Sequence, residues 1–523
     1  MSPNFPPLQP FDRWNQVLAS QVHPAGWTNP TPLQPYQLVV IGAGTAGLVT
    51  AAGAAGLGVR VALIERQLMG GDCLNVGCVP SKALIASARA AERVRAATQF
   101  GVTTGGEPGV DFAAVMERLR RLRAGISPHD SAKRFQELGV DVYLGQGAFR
   151  DDSTVVVTGE DGSQWELPFR KAVIATGARA AVPLIPGIES VPYLTNETVF
   201  SLTQLPPRLA VLGGGPIGCE LAQAFARIGS QVTLIERGDR LLSRAALDAS
   251  DVLQSQLRRD GVQLELATSV EQVRAISANG DCPTTIQLAI RTSTGQRDIT
   301  VDQLLVATGR RPNLEGLGVE QIGVATTQRG VVVDDFLRTK HPRIFAVGDV
   351  CSPFQFTHAA DVQARLVIQN SLFALGPLGR KRASDLLIPW SVFTSPEIAH
   401  VGLDEAQATE RGIAVDSYRQ PLTTVDRAIL DGQTTGFVHI LTKAGTDQIL
   451  GATIVAEHAG DLISELTLAM SQRVGLGRLA GVIHPYPTQA EAIRKLGDQY
   501  NRTRLTPWSR WLLDWLRRWN VGP

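Results

Sequence analysis

The stretch Tyr36-Gln-Leu-Val-Val-Ile-Gly-Ala-Gly-Thr-Ala-Gly47 joins an apolar, strand-like run to a glycine-rich turn and the start of a helix. A second stretch, Arg208-Leu-Ala-Val-Leu-Gly-Gly-Gly-Pro-Ile-Gly218, repeats this arrangement. After a further apolar run, each stretch leads to an acidic residue, Glu65 in the first and Glu236 in the second. Because the glycine spacing and the distance to the acidic residue agree, the chain is predicted to hold two βαβ units of the same kind.

Both units have the residues that a dinucleotide needs. The first glycine permits a tight turn, the second lets the backbone approach a pyrophosphate, and the third packs the helix against the strand. The pyrophosphate lies at the helix N-terminus, and the carboxylate accepts hydrogen bonds from ribose hydroxyls. The residues predicted to contact the two dinucleotides are Gly42, Gly44, Thr45, Ala46, Gly47, Glu65 and Arg66 in the first unit and Gly213, Gly215, Pro216, Ile217, Gly218, Glu236 and Arg237 in the second.

The charge at the end of the second unit bears on which nicotinamide dinucleotide binds. A carboxylate at Glu236 repels a 2′-phosphate, so NADH is favoured over NADPH. Arg237 and Arg240 lie close enough in sequence to weaken that preference, which keeps NADPH as an alternative.

Length, composition and charge narrow the function further. A chain of 523 residues has room for about three or four domains, and 44% apolar with 19% charged residues is typical of a soluble globular protein. The net charge of +1 gives no electrostatic reason for a nucleic-acid partner. The uncharged stretch 38–59 is long enough to span a bilayer, but its glycines and alanines fit the dinucleotide motif better. Since no signal-peptide pattern is visible, we expect a cytoplasmic protein.

A close pair of cysteines indicates redox chemistry. The segment Gly70-Gly-Asp-Cys-Leu-Asn-Val-Gly-Cys-Val-Pro-Ser-Lys82 holds Cys73 and Cys78, two of only five cysteines, which are too few for a secreted disulfide scaffold. We expect a helix to run on from Pro80, and a helix N-terminus lowers the pKa of a nearby thiol by stabilising its thiolate. Lys82 adds a positive charge. Such a pair can form a disulfide, attack a substrate by thiol exchange and be resolved internally.

Together these motifs resemble the class I pyridine nucleotide-disulfide oxidoreductases, which include dihydrolipoamide dehydrogenase, glutathione reductase and mercuric reductase, over about residues 36–500. The resemblance implies an enzyme that passes electrons from nicotinamide through FAD to a Cys73–Cys78 disulfide and then to a substrate. It implies that Cys73 is the interchange thiol and that Cys78 faces the flavin. Lys82 matches the family lysine near flavin N5, and Glu220 matches its carboxylate partner.

Further segments match cofactor-binding parts of the family. Ala175-Thr-Gly177 and Ala307-Thr-Gly309 resemble the two crossings between the FAD and NAD domains. Ala346-Val-Gly-Asp349 resembles the segment whose aspartate binds the FAD ribityl chain, and Gly147 falls where a small residue approaches the adenine half. The other residues that the resemblance implies near a cofactor, besides Cys73 and Lys82, are Gly71, Asp72, Ala148, Thr176, Val270, Gly348, Thr357, His358 and Ala359.

The resemblance also implies the architecture. We expect an α/β fold with two Rossmann-like dinucleotide-binding domains, one for FAD and one for NAD, and a C-terminal α+β dimerisation domain. In the family this last domain pairs two subunits, which predicts a homodimer with a composite active site. The predicted segments are an N-terminal extension without clear periodicity (1–34), the FAD domain (35–178 and 306–384), the NAD(P) domain (179–305), the dimerisation domain (385–500) and a Trp-rich amphipathic helix (501–523).

Local patterns predict several elements between and after the two glycine motifs. Helical stretches are expected at about 81–97 and 111–137. Strands at 436–441 and 448–455, followed by a helix at about 459–473, indicate the change to an α+β domain.

The segment His484-Pro-Tyr-Pro-Thr-Gln-Ala-Glu491 departs from the family motif His-Pro-Thr-x-x-Glu, in which the histidine is the acid–base and the glutamate orients it. Aligning the Pro-Thr pair and Glu491 puts Tyr486 at the base position, as in mercuric reductases. Aligning His484 instead puts Gln489 in place of the glutamate. We favour the first register because it preserves more of the motif. Tyrosine, with a pKa of about 10, is a poor base at neutral pH. His484 can act as the base from its shifted position, or it can pack at a dimer interface.

Two features of a full mercuric reductase do not occur in this sequence: the paired C-terminal thiols and an N-terminal Cys-x-x-Cys domain. The other cysteines, Cys219, Cys282 and Cys351, are isolated in sequence and predicted to be inert. We expect a mercuric-reductase-like enzyme that reduces a small disulfide or a thiol-bound metal ion and holds no metal of its own. Dihydrolipoamide dehydrogenase or a general NADH diaphorase is the enzymatic alternative, and a redox-responsive flavoprotein binding partner is the non-enzymatic one.

The last residues predict a short amphipathic helix with arginines beside its apolar face. This helix either docks on its own dimer or contacts a membrane surface, for which tryptophan and arginine are suited. The apolar residues at helical spacing are Trp508, Trp511, Leu512, Trp515, Leu516 and Trp519.

Overall fold

The computed structural model describes residues 8–103, 105–106, 109–276, 285–376 and 378–522. Cys282 and the first seven residues of the predicted N-terminal extension lie outside this part of the chain. The chain divides into two compact units: unit 1 comprises Met1–Asp239 and Gly261–Leu386, and unit 2 comprises Arg240–Asp260 and Leu387–Pro523.

The helices are short to medium in length and are distributed over both units. They are α1 (Arg13–Val22), α2 (Thr45–Gly56), α3 (Gly71–Asn75), α4 (Cys78–Arg95), α5 (Phe112–Ile126), α6 (Ala132–Glu137), α7 (Pro216–Ile228), α8 (Leu247–Arg259), α9 (Thr357–Ile368), α10 (Glu405–Glu410), α11 (Asp426–Leu430), α12 (Ala459–Ser471), α13 (Leu476–Leu479), α14 (Glu491–Thr503) and α15 (Pro507–Val521).

The strands form separate sheets in the two units. They are β1 (Tyr36–Ile41), β2 (Val61–Glu65), β3 (Val140–Leu144), β4 (Gln146–Asp151), β5 (Thr154–Thr158), β6 (Gln164–Ile174), β7 (Ala178–Ala180), β8 (Tyr193–Leu194), β9 (Arg208–Leu212), β10 (Gln231–Ile235), β11 (Gln263–Glu265), β12 (Ser269–Ile276), β13 (Thr285–Thr292), β14 (Gly295–Val301), β15 (Gln303–Val306), β16 (Arg310–Pro312), β17 (Thr326–Thr327), β18 (Gly330–Val331), β19 (Ile344–Ala346), β20 (Trp390–Val392), β21 (Glu397–Gly402), β22 (Val415–Pro421), β23 (Phe437–Lys443) and β24 (Ile449–Ala456).

Unit 1 contains two parallel sheets with the same strand order. In the first, the parallel strands run β3-β2-β1-β6, with β19 also on β6 and the antiparallel pair β5 and β4 at the far side. In the second, the order β11-β10-β9-β15-β8 is parallel throughout. The strand order that the two sheets share, and the helix that follows the first strand of each βαβ unit, define two Rossmann-like folds. This confirms the predicted architecture.

The glycine turns of the two folds are held by the same backbone contacts. Gly42 has φ +103°, and a side chain there would overlap the carbonyl of Ala175. A Cβ at Gly47 would overlap the carbonyl oxygen of Gly42, and a Cβ at Gly218 would overlap that of Gly213 in the same way. Only glycine therefore lets each helix start this close to its strand.

The N-terminal extension contains a helix, α1, that the absence of periodicity did not predict. Asp12 caps it by accepting from the backbone amides of Trp14 (3.1 Å) and Asn15 (3.0 Å). Leu18 and Val22 are fully buried in the core of unit 1. A helix with only two large buried apolar residues has too few repeats to stand out in a sequence pattern.

The predicted helix at 111–137 is two helices. A 3-10 turn over Ser127–Asp130 separates α5 from α6, because Pro128 removes a backbone donor. The predicted stretch at 81–97 is α4, but it begins earlier, at Cys78.

Unit 2 is an α+β fold around one antiparallel sheet. Its strand order is β20-β21-β24-β23-β22. The helices α12 and α14 bury apolar side chains such as Leu466 and Leu496 in the same core as Ile454. The strands predicted at 436–441 and 448–455 and the helix at 459–473 are confirmed as β23, β24 and α12.

The C-terminal helix α15 has no buried residue. Trp508, Trp511 and Trp519 are each more than 60% exposed. Among the residues that the structure describes, no helix is both long enough and apolar enough to cross a membrane.

Candidate active site

The segment with the two cysteines is folded by its own backbone against the first glycine turn. Gly70 N–H donates to the carbonyl of Ala43 at 2.8 Å. A Cβ at Gly71 would lie 2.6 Å from the Cα of Gly44, so this approach also requires glycine. The cysteine segment therefore lies directly beside the turn predicted to hold a pyrophosphate.

The two cysteines occupy different positions on this segment. Cys73 lies within the short helix α3, whereas Cys78 is the first residue of α4. Asn75 lies between them, and its side-chain amide donates to the carbonyls of Met69 (3.1 Å) and Gly71 (2.9 Å). These hydrogen bonds close the segment into a compact turn that brings both thiols to one place.

The surroundings of the two thiols push their pKa values in opposite directions. Both cysteines are free thiols, and they share a hydrogen bond. The hydrogen bond from Cys73, the Thr357 hydroxyl at 3.3 Å and the charge of Lys82 lower the pKa of Cys78 to about 6. The pKa of Cys73 is raised, first by its hydrogen bond to Cys78 and then by burial. At neutral pH the pair therefore holds a thiolate at Cys78 and a proton at Cys73.

An ion pair links the cysteine helix to the second dinucleotide fold. Lys82 Nζ, one turn into α4, donates to Glu220 Oε2 on α7 at 2.8 Å. The Glu220 side chain is only 6% exposed. A buried carboxylate needs such a partner, so the pair keeps a positive charge close to the Cys78 thiol.

Arg310, whose side chain is 14% exposed, joins three parts of the site. It follows the second crossing motif and donates to Asp72, beside Cys73, and to the carbonyl of Ala178 at 2.6 Å. Its Nε also lies 3.3 Å from Asp349. Burial raises the pKa of Asp349 to about 6, and the charge of Arg310 opposes this shift. Arg310 was not predicted, although an arginine directly after the crossing glycine was the available signal.

The first dinucleotide fold offers a cleft of the right chemistry for an adenosine. Glu65 accepts from the backbone amides of Ala43 (2.7 Å) and Gln67 (2.8 Å), and burial raises its pKa. Gly147 lines the same cleft, and a Cβ there would lie 3.1 Å from Ile64. These features fit FAD. The Glu65 carboxylate can accept hydrogen bonds from ribose hydroxyls, Gly147 presents no side chain to the cleft, and Asp349 lies further along the same fold. The other predicted residues that line this cleft are Gly42, Arg66 and Thr176.

The second fold repeats this arrangement. Glu236 accepts from the backbone amides of Gly214 (2.6 Å) and Gly238 (2.7 Å). Within the part of the chain that the structure describes, no atom lies within 4 Å of a Cβ built on Gly215, so the turn is open to an approaching pyrophosphate. These features fit a nicotinamide dinucleotide.

The remaining predicted cofactor residues lie on the elements around these two clefts. Thr357 is the first residue of α9, His358 stacks on Phe356 with ring centroids 5.4 Å apart, and Ala359 is fully buried. Ala148 lies on β4 and Val270 on β12. Gly348 begins the 3-10 turn that carries Asp349. The structure describes Cys219 and Cys351 as well; burial raises the pKa of both thiols, that of Cys351 to about 12, which makes them unreactive.

In unit 2 the histidine and the tyrosine of the altered motif have separate partners. His484 Nε2 lies 2.9 Å from Glu465 on α12, and its Nδ1 lies 3.0 Å from the carbonyl of Val482. Tyr486 is 70% exposed and donates to Asp426 at 2.7 Å. Glu491 pairs with neither; it contacts Arg494 and Lys495 on its own helix, at 3.3 and 3.6 Å. Sequence reasoning missed Glu465 and Asp426, because nothing in a local motif points to partners on α12 and α11.

Two dinucleotide folds beside a polarised thiol pair define a flavin- and nicotinamide-dependent disulfide oxidoreductase. Residues 36–364 match the pyridine nucleotide-disulphide oxidoreductase family, and residues 388–496 match the dimerisation domain of that family. The chain belongs to this family, whose members use FAD and NAD(P)H. The match to the dimerisation domain supports a homodimer.

Individual relatives point in more than one direction. The mercuric reductase of Streptomyces lividans is 38% identical over 461 residues, which cover 88% of this chain and 95% of that protein. The dihydrolipoyl dehydrogenase of Chlamydia muridarum is 34% identical over 464 residues, 87% of this chain and 95% of that protein. The solved structure of the HOCl-induced flavoprotein disulfide reductase RclA from Escherichia coli is 30% identical with a TM-score of 0.76 and covers 88% of this chain and 99% of its own. LpdA from Mycobacterium tuberculosis is 27% identical with a TM-score of 0.79, over 89% of this chain and 99% of its own.

No group of three or more His, Cys, Asp or Glu side chains able to hold a metal ion is found among the described residues.

The pKa of Cys78 gives a first prediction. In the reduced enzyme, the rate of iodoacetamide alkylation at Cys78 should rise with pH around a midpoint of about 6, because only the thiolate reacts. Thr357→Val removes a hydrogen bond that favours the thiolate and should move this midpoint up by about one pH unit, as expected for losing a hydrogen bond of roughly 1.5 kcal/mol to a charged group. Alkylation at each cysteine is followed by mass spectrometry.

The matched control is Thr409→Val, the same change at an exposed position of α10, whose hydroxyl donates to the carbonyl of Glu405. It should leave the midpoint where it is. Equal midpoints in all three proteins would show that the Thr357 hydroxyl does not stabilise the thiolate.

Proposed function

We propose that this enzyme uses the Cys73–Cys78 dithiol to reduce a small disulfide or a thiol-bound metal ion, with electrons from NAD(P)H. The observation that carries the proposal is the opposite shift of the two thiol pKa values within one hydrogen-bonded pair. Such a pair is suited to exchange, because one sulfur is ready to close the disulfide as soon as the other has reacted. A dithiol that must stay reducible also suits the cytoplasm, where we place the enzyme.

The exchange follows from the roles proposed for the two sulfurs. Cys73, after losing its proton, attacks one sulfur of a disulfide substrate, forms a mixed disulfide and releases the first thiolate. Cys78 then attacks the Cys73 sulfur, releases the second thiolate and closes the Cys73–Cys78 disulfide. Two electrons leave the pair, and each released thiolate takes up one proton. A metal ion bound to two thiols would bind to the enzyme in the same way, with the sulfurs of the cysteine pair replacing its thiol ligands.

The residues proposed to hold the cofactors are those of the two glycine turns and their acidic partners. FAD would lie along Glu65 and Gly147 toward Asp349, with its reactive ring near Lys82 and Cys78. When bound, FAD carries the two electrons of NAD(P)H to the disulfide. The nicotinamide dinucleotide would lie on the turn that ends at Gly218 in the second fold.

The second fold supports a preference for NADH. Both oxygens of Glu236 are fixed by backbone amides, so its carboxylate cannot turn away from a 2′-phosphate. In unit 2 the guanidinium of Arg240 donates to the carbonyls of Ser243 (2.7 Å) and Ala245 (3.1 Å). An arginine already engaged in this way is less able to bind a phosphate.

The raised pKa of Cys73 calls for a group that handles its proton, and we propose that this group comes from the partner subunit. Both ring nitrogens of His484 have partners within unit 2, and its side chain is 6% exposed. Tyr486 is the exposed member of the motif, and its hydrogen bond to Asp426 raises its pKa. A phenol of this kind donates hydrogen bonds or binds metal ions better than it accepts protons, which favours a metal–thiol substrate over lipoamide.

A substrate panel tests the proposed function. The holoenzyme is assayed with NADH and NADPH against a mercuric–thiol complex, glutathione disulfide and lipoamide. We expect a higher kcat/KM with NADH, turnover of the metal–thiol complex or the small disulfide, and slow lipoamide reduction. Anaerobic NADH should also produce a long-wavelength thiolate–flavin band.

Cys78→Ser should abolish that band and the turnover of every substrate in the panel, since it removes the flavin-facing thiol. Cys282→Ser, at a cysteine that is isolated in sequence, is the matched control and should keep both. Brisk lipoamide reduction without metal-ion turnover would instead identify a dihydrolipoamide dehydrogenase. The absence of the band from the unmodified protein would favour a flavoprotein that binds a partner.

The altered motif generates a separate prediction. Tyr486→Phe should lower kcat for the dithiol-dependent substrate by about tenfold, because it removes an exposed hydroxyl whose hydrogen bond to a charged group is worth roughly 1.5 kcal/mol. Ferricyanide reduction by NADH, which does not need the cysteines, is the internal control and should not change. His484→Gln should cost less, since this histidine is held inside unit 2. If His484→Gln has the larger effect on the dithiol-dependent substrate, the histidine is the base.

The exposed helix α15 is the last part of the proposal: we propose that it lies on an anionic membrane surface. At 100° per residue, the four tryptophans fall within one side of the helix, Arg510 and Arg517 fall on the opposite side, and Arg518 lies at the edge beside Trp511. Asp514 pairs with Arg517 (2.8 Å) and Arg518 (2.9 Å), which leaves a net positive charge on the helix. Exposed tryptophan beside arginine is the composition of an interfacial helix.

Vesicles test this placement. The holoenzyme should sediment with vesicles that contain phosphatidylglycerol, and its tryptophan emission should shift to the blue; pure phosphatidylcholine should bind it less. Trp511→Gln with Trp515→Gln should abolish sedimentation, whereas Ser509→Gln, a polar change on the same helix, should not. If no vesicle binds the enzyme and the tryptophan variant changes its oligomeric state, the helix packs against a second copy.

A further inference from the structure

The helix α1 lies outside the family match, which begins at residue 36, yet it belongs to the core around the cysteine segment. Leu18 and Val22 of this helix are fully buried in the same apolar cluster as Met69 and Leu74, which flank Cys73. The backbone amide of Met69 donates to the carbonyl of Val22 at 3.1 Å. The helix is thus joined to the cysteine segment by packing and by a backbone hydrogen bond.

A line of buried polar contacts runs from α1 to the point between the two cysteines. Arg123 on α5 donates through Nη2 to the side-chain oxygen of Asn15 at 2.6 Å. Through Nη1 the same guanidinium donates to the backbone carbonyl of Asn75 at 2.6 Å. Asn75 is the residue whose side chain closes the turn between Cys73 and Cys78. One guanidinium therefore connects α1 to the cysteine turn.

The Arg123 guanidinium is buried and has few hydrogen-bond acceptors, so its orientation is narrowly constrained. Its side chain is almost inaccessible to solvent, and burial lowers its pKa to about 10. Its Nε has no hydrogen-bond partner among the described residues, so the oxygens of Asn15 and Asn75 carry its hydrogen bonds. A buried cation with so few acceptors is held in one orientation by each of them.

The side chain of Asn15 and the helix α1 that carries it are themselves held in place. The side-chain amide of Asn15 donates to the carbonyl of Pro10 at 2.8 Å, which sets the direction of its oxygen. Asp12, the cap of α1, forms an ion pair with Arg120 at 2.6 Å, one turn before Arg123 on α5. The helix cannot slide along α5 without breaking this pair.

We infer that Asn15 is a positioning residue for the redox pair: through Arg123 it fixes the carbonyl of Asn75 and with it the relative placement of Cys73 and Cys78. This inference rests on the proposed function of the two thiols. Thiol exchange depends on the distance and direction between the sulfurs, and the reactivity of Cys78 depends on its place at the start of α4. A segment before the family domain thereby sets the properties of the active-site disulfide.

The test compares three variants of the holoenzyme. Asn15→Leu keeps the approximate volume but removes the acceptor, Asn15→Asp keeps an acceptor for Arg123, and Gln16→Leu removes an amide from the exposed side of the same helix. Each is reduced with NADH, and the pH midpoint of Cys78 alkylation is measured by mass spectrometry. The ratio of disulfide reduction to ferricyanide reduction is measured in parallel, because ferricyanide bypasses the cysteines.

Asn15→Leu should lower that ratio roughly tenfold, in line with the loss of an outer contact that orients a reactive group. It should also raise the alkylation midpoint by roughly one pH unit, a tenfold change in thiolate population. Asn15→Asp should restore both values, and Gln16→Leu should alter neither. A merely structural role would lower both activities together and leave their ratio unchanged.

Should Asn15→Leu fold poorly, Asn15→Ser is the milder variant, since the shorter hydroxyl does not reach Arg123 but leaves less strain in the core. An unchanged ratio and midpoint in folded Asn15→Leu or Asn15→Ser would overturn the inference. If the unmodified enzyme shows no thiolate–flavin band, the proposed function fails first, so the two failures are distinguishable.

Discussion

The structure depends on a contact that excludes side chains: the carbonyl of the first glycine in each turn lies where a Cβ of the third glycine would be. This occurs at Gly42 and Gly47 in one fold and at Gly213 and Gly218 in the other. Because the helix starts so close to its strand, the amides at its N-terminus point into an open turn, and the acidic residue of the next strand can accept from that turn. The same closeness places the cysteine segment, through Gly71, directly on the first turn. The positions of both glycine turns and of the thiols therefore follow from one packing constraint.

Ion pairs link the elements around these glycine turns. Lys82 and Glu220 join the cysteine helix to the second fold, and Arg310 joins Asp72 to Asp349. The buried carboxylate of Glu220 would be costly alone, and each pair links the elements that carry it. The hydrogen bond between the two thiols is the main reason that Cys78 ionises while Cys73 keeps its proton, and the charge of Lys82 adds to it. Lys82 therefore contributes both to the contact between the two folds and to the thiol chemistry.

The sequence predicted those parts of the site that depend on spacing along the chain. The two glycine motifs, their acidic partners and the cysteine pair with Lys82 are local patterns, and the α/β class with two Rossmann-like folds follows from them. The parts that were missed depend on contacts between distant segments. Arg310 reaches Asp72 across more than two hundred residues, and Glu465 meets His484 only through the packing of unit 2. The helix α1 was missed for another reason: two buried apolar residues do not make a periodic pattern.

The destination of the electrons depends on how the proton of Cys73 is handled. In relatives with a histidine at the base position, a group with a pKa near neutrality can take that proton. Here the exposed position belongs to Tyr486, whose pKa is raised by Asp426, while His484 is engaged by Glu465. A phenol cannot readily deprotonate a thiol whose own pKa is raised. A substrate whose binding to sulfur itself releases the thiol proton would therefore suit this site. A soft metal ion does so, because binding to sulfur displaces the thiol proton. We therefore propose that the replacement of histidine by tyrosine at this position weakens disulfide exchange and favours a thiol-bound metal ion as the electron acceptor.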